Sequence, residues 1–143
     1  MQLKTATLLF AAGLLLGGCA SFEGNVDKTH DLAGIQRFFV VSNSNDNHAL
    51  DHRIAEALVS RGHTAESGPL TMMPDNAQAV VTFQDRWTWD FGEHLVFLKI
   101  SVRNPDDTFP FGSATFEARV PSRDPLPVIV GRLADQLLKE NKK

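Results

Sequence analysis

Cysteine is nearly missing from this chain: Cys19 is the only one in 143 residues. A single thiol excludes an internal disulfide and any multi-thiolate metal centre, so the fold must rest on packing. Tyrosine is absent, and ten Phe and two Trp make up the aromatic set. Phe should therefore dominate the core. No stretch reaches the ~20 apolar residues that span a bilayer as a helix. Basic residues are scattered, Lys142-Lys143 being the only pair of note, and the formal net charge is -3. Nucleic acid is accordingly not an expected partner. Glycine is missing from Ser42 to Asn47, where a phosphate-cradling loop would follow the first apolar strand. No Gly-x-Ser-x-Gly elbow occurs either. The sequence thus offers no catalytic residue, cofactor or metal centre, and the reading is of a non-enzyme.

What is present begins at the N-terminus. Lys4 is followed by an apolar run from Thr5 to Leu16, about a dozen residues, too short to stay in a membrane and suited to an export signal. Gly17 and Gly18 then precede Cys19. Leu16-Gly17-Gly18-Cys19 resembles the lipobox of a bacterial lipoprotein precursor. The competing reading is an ordinary secretory signal with an incidental cysteine. The resemblance implies cleavage after residue 18 and lipidation of Cys19. Each buried CH₂ of an acyl chain contributes about 0.8 kcal/mol to membrane binding, so several chains hold firmly. Ala20 and Ser21, rather than aspartate, follow the cysteine. By the sorting rule of such families this implies the outer membrane of a Gram-negative cell, on its periplasmic face.

Residues 19–33 are polar and unpatterned and read as a tether, which at 5–6 Å × √n keeps the domain roughly 20 Å from the bilayer. The domain proper is expected over 34–143. Arg37–Ser42 is a short strand with both faces apolar. His48–Arg61 is a helix, with Leu50, Ile54, Ala57 and Leu58 on one stripe and Gly62 behind it. Ala77–Asp90 and Glu93–Asn104 form a hairpin around Asp90-Phe91-Gly92, with Val96, Leu98, Ile100 and Val102 on one face of the second strand. Phe111–Val120 is the last strand, and a helix with the stripe Leu126, Val130, Leu133 and Leu137 runs to Lys139. The expected fold is α+β: a two-layer β-α-β-β-β-α sandwich, its four-stranded, mainly antiparallel sheet covered on one face by two helices.

The run Ile54–Gly62 followed by Ala77-Gln78-Ala79-Val80-Val81-Thr82-Phe83 is similar to small Gram-negative lipoproteins of uncharacterised domain families. His63 stands where such chains often carry an aromatic. The order of elements also resembles the domains of envelope-assembly lipoproteins of the PelC type and of the TolB amino-terminal type. That resemblance implies protein–protein work at the outer membrane and carries over no catalytic residue.

Trp87-Thr88-Trp89-Asp90 is the most unusual local feature. Trp87 and Trp89 share a face beside the hairpin tip, and Phe91, Leu95 and Phe97 add apolar area across the turn. Either the core covers this surface, or it is a contact for a partner protein or lipid headgroup. Asp85 interrupts the apolar face of its strand and needs a bulge, an edge or an ion pair such as Arg119. His48 and His52 are four apart, a spacing that suits one metal, but both oppose the core stripe and read as exposed helix residues. The leading expectation is a non-enzymatic scaffold or assembly component, lipid-anchored, contacting another envelope protein or itself. The alternatives are a ligand-binding lipoprotein with the aromatic hairpin as pocket wall, and, behind it, a hydrolase.

Overall fold

The apolar stripes predicted for the two helices meet one sheet face. In the computed structural model, which describes residues 20–139, the elements are β1 (Ala20–Val26), β2 (Arg37–Val41), α1 (Leu50–Val59), β3 (Thr64–Gly68), β4 (Ala79–Trp89), β5 (Glu93–Arg103), β6 (Gly112–Ala118) and α2 (Leu126–Lys139). Leu50, Ile54 and Leu58 of α1 and Ile129, Val130, Leu133 and Leu137 of α2 join Phe38, Val40, Val81, Phe83, Leu98, Ile100, Val102, Ala114 and Phe116 in one buried cluster. Phe116 is fully buried at its centre. The export-signal segment 1–18 and Cys19 lie outside the described residues. Among the described residues no helix is long and apolar enough to cross a membrane.

The sheet corrects the four-stranded, mainly antiparallel expectation. It has six strands in the order β1-β6-β5-β4-β2-β3 and is mixed. β2 runs parallel to both β3 and β4, while β4, β5, β6 and β1 pair antiparallel in turn. The class remains α+β. Both added strands are edges; β3 is held by backbone pairing, and β1 by pairing together with Phe22 and Val26 against the core. β1 falls in the stretch read as a tether and pairs with β6 from Ala20↔Ala118 to Val26↔Gly112. Gly112 makes the close approach possible: a Cβ there would sit 3.2 Å from Val26 Cγ2. Leu32, also read as tether, is buried in the core. β3 is the return strand of a β2-α1-β3 crossover, the connection that parallel neighbours require.

The helices are locked to each other by Arg61. Its Nε and Nη2 donate to Asp135 at 2.8 and 3.2 Å, Nη2 also to the Gly131 carbonyl at 2.8 Å, and Nη1 to the Ala57 carbonyl at 2.8 Å. Gly131 leaves the room, since a Cβ there would lie 3.1 Å from Nη2. The hydrogen bonds from Arg61 hold the Asp135 carboxyl below the usual carboxylate range, against the opposing effect of its partial burial.

Candidate functional site at the hairpin end of the sheet

The β4–β5 hairpin extends beyond the rest of the sheet. The register carries Glu117 of β6 opposite Phe97 of β5, and Phe97 opposite Arg86 of β4. Residues 87–95 therefore project past the last paired residues of β6. Ala20, opposite Ala118, starts β1 at this same end. β2, parallel to β4, also points its C-terminus here. The first residue after Cys19, the β2–α1 loop and the hairpin tip thus gather at one end of the molecule.

The structure divides the five aromatic and apolar residues singled out in the sequence. Trp89 is 75% exposed and Phe91 fully exposed, at the tip. Leu95 is buried in the core, and Trp87 is half-buried against it. Phe97 is half-buried on the other face, with the Arg86 guanidinium 5.3 Å from its ring centroid. The cause of the division is a bulge. Arg86 pairs with Phe97 but Trp87 pairs with Leu95, which leaves Val96 as the extra residue. The inward series Val102, Ile100, Leu98 consequently continues with Leu95, and the inward place expected for Val96 is lost. Val120, the predicted last residue of its strand, lies exposed beyond the end of β6.

Phe91 has φ 51°, the left-handed region, followed by Gly92 at φ 149°. An ordinary L-residue pays roughly 1–2 kcal/mol there, and Gly, Asn or Asp is the usual occupant. A fully exposed phenylalanine gains no burial to offset that cost.

Beneath the tip lies a polar cluster. The Asp46 carboxylate accepts from the His48 and Leu50 backbone amides at 2.8 and 2.6 Å and so closes the start of α1. Ala49 between them is left-handed at φ 53°. The helix therefore begins at Leu50, two residues later than predicted, and His48 stands before it. Its imidazole stacks on Trp87, centroids 3.6 Å apart and planes 13° from parallel, and its Nε2 is 2.8 Å from Glu93 Oε2. His52 bonds Ser67 instead, at 3.0 Å. The two histidines diverge and do not form the i, i+4 metal pair. Asp85 receives the Trp87 indole N–H at 2.7 Å, which answers its need for a partner without Arg119. Asp51, which carried no signal in the sequence, is the buried acid of α1, and it accepts from the Ser42 hydroxyl at 2.7 Å.

A groove between the two helices lies elsewhere. About 420 Å³ in volume, it runs between α1 and α2 past Arg53, Glu56, Arg61, Val128 and Arg132. The hairpin aromatics do not line it.

No family model and no curated protein matches this chain. Solved structures do. A point variant of the PelC dodecamer from Paraburkholderia phytofirmans is similar with a TM-score of 0.60 and 18% identity, over 87% of this chain and 99% of that one. A second PelC dodecamer structure from the same organism gives 0.55 and 15%, over 86% and 97%. The chain thus has a PelC-like topology.

Proposed function

We propose that this protein is a lipoprotein anchored through Cys19 to the periplasmic face of the outer membrane, where it acts as a non-enzymatic assembly or scaffold component that contacts a partner with its hairpin tip. The observation that carries the reading is the tip itself. Trp89 and Phe91 are exposed, and Phe91 is kept in a backbone conformation that disfavours it. Strain retained without a packing return is grounds for a functional hypothesis. Large aromatics at an exposed site are also the residue types that anchor protein interfaces. The position supports it as well, since Ala20 begins its strand at the tip end of the sheet. The PelC neighbours are dodecamers, and self-association is included in the proposal as one form the contact can take.

The test is photocrosslinking in cells from positions 89 and 91. A discrete crosslinked species from position 89 that disappears when Phe91→Ala is added, and one from position 91 that disappears when Trp89→Ala is added, both in variants of unchanged fold, is the expected result. Absence of any adduct at both positions, with the protein at normal abundance in the membrane fraction, would sink the interface. Cys19→Ala should move the protein from the membrane to the soluble fraction, and its continued sedimentation with outer membranes would remove the anchor.

A further inference from the structure

We infer that Asp46, His48 and Asp85 form a binding site for one divalent transition-metal ion of the zinc class, with Glu93 orienting the imidazole from behind. One ligating atom from each of the three lies within 4.8 Å of the other two, and all three residues are half-buried. Asp46 and His48 are neighbours in the β2–α1 loop, and Asp85 is brought to them from strand β4 by the fold.

Three features fit an ion. The first is charge. Asp46, Asp85 and Glu93 surround one imidazole, and among the described residues no Lys or Arg side chain forms an ion pair with any of them. Arg53 donates its Nε to the His48 carbonyl at 3.1 Å. Like charges gathered without a counter-charge are unfavourable, and a dication relieves them. The second is preorganisation. Stacking on Trp87 fixes the His48 ring plane, and the Glu93 carboxylate on Nε2 reproduces the carboxylate–histidine pairing common behind metal-bound imidazoles. The third is spare capacity. Each Asp carboxylate oxygen has two lone pairs, and the hydrogen bonds of Asp46 and Asp85 leave sites open.

One imidazole with two carboxylates suits zinc and its neighbours better than magnesium or calcium, which favour all-oxygen shells. Tetrahedral ligation at about 2.0–2.1 Å places ligand atoms about 3.4 Å apart, within the 4.8 Å that bounds the present separations. Bound there, the ion would tie the β2–α1 loop to the hairpin that carries Trp89 and Phe91.

The experiment is calorimetric titration of the chelator-stripped full chain with zinc chloride, with magnesium chloride in a parallel arm. One zinc per chain is expected, at micromolar affinity, and no heat from magnesium. Asp85→Asn keeps an acceptor for the Trp87 indole but removes a charge, and should weaken zinc binding at least tenfold. Glu93→Gln should weaken it by roughly 10–100-fold, and His52→Gln should leave it unchanged. Absence of heat at about 100 µM zinc, or wild-type affinity in folded Asp85→Asn, overturns the site. His48→Gln is a supporting variant only, since it also breaks the ring stack. The indole near-ultraviolet signal reports whether each variant keeps its packing.

Discussion

Replacing Phe91 with Asn should stabilise the protein. The side chain is fully exposed, so its removal forfeits no burial. Its φ of 51° is the left-handed region, where Asn is several-fold enriched because its short polar side chain bonds the local backbone. Of the roughly 1–2 kcal/mol that an ordinary residue pays there, Asn should recover about 0.5–1. Asn is preferable to Gly as the probe, because Gly would add unfolded-chain entropy and hide part of the gain. For a domain near this size the gain corresponds to a rise in Tm of about 2–5 °C. Denaturant unfolding monitored by far-ultraviolet circular dichroism should show a higher midpoint at unchanged slope. The same variant should lose the crosslink expected from the tip. A lower midpoint would mean that Phe91 makes a stabilising contact within the fold, and the strain argument for a binding tip would fail.

The remaining expectations separate structural from surface roles. Trp87→Ala should cost roughly 2–4 kcal/mol, since a large half-buried ring and its bond to Asp85 are lost, whereas Trp89→Ala should stay within about 0.5 kcal/mol; equal effects in thermal melts would contradict the division made by the bulge. Gly112→Val should force Val26 away and loosen β1, at a cost of about 1–3 kcal/mol; faster amide exchange confined to residues 20–26 and their partners on β6 is the diagnostic. Asp135 has its folded pKa below the ordinary 3.8. Its contribution is therefore complete above the unfolded value and fades as pH falls through the folded one. Because the pair is partly exposed, that contribution is about 0.5 kcal/mol, and Asp135→Asn should flatten the acid limb of a stability–pH curve below about pH 4. An unaltered limb would mean that Arg61 bonds chiefly to the carbonyls.

The sequence disclosed those elements whose burial writes a period into the residues. β2, β4, β5, β6 and both helices appear within a few residues of their predicted limits, because Leu50/Ile54/Leu58 and Leu98/Ile100/Val102 repeat at helical and strand spacing. β3 carries no such period, and that of β1 is short and broken by Gly24. Ser21, Glu23 and Asn25 alternate with Phe22, Gly24 and Val26, of which Phe22 packs on the core and Val26 is buried in it, and Thr64–Gly68 contains no large apolar residue. β3 is held by backbone pairing at the sheet edge, which leaves little trace in composition, and β1 adds to its pairing only the contacts of Phe22 and Val26. β3 did have an indirect signal: a strand followed by an amphipathic helix and Gly62 implies a parallel return strand. The site was half legible. Trp87-Thr88-Trp89 stood out, but the Val96 bulge that separates the two rings depends on register. The stack of His48 on Trp87 joins residues far apart in the chain, and no local pattern encodes it.

β1 starts at Ala20, directly after the cysteine of the proposed anchor. A polar leash of a dozen residues would let a domain roam a hemisphere and sample partners in any pose. Under that anchoring, a sheet strand in its place takes up the slack. The domain would then meet the bilayer as a post meets a floor, with one end down and little freedom to tumble. Collision partners along the membrane plane would see a repeated, oriented surface. For a molecule that assembles side by side with its neighbours, that converts a three-dimensional search into one over the two in-plane dimensions and a single rotation.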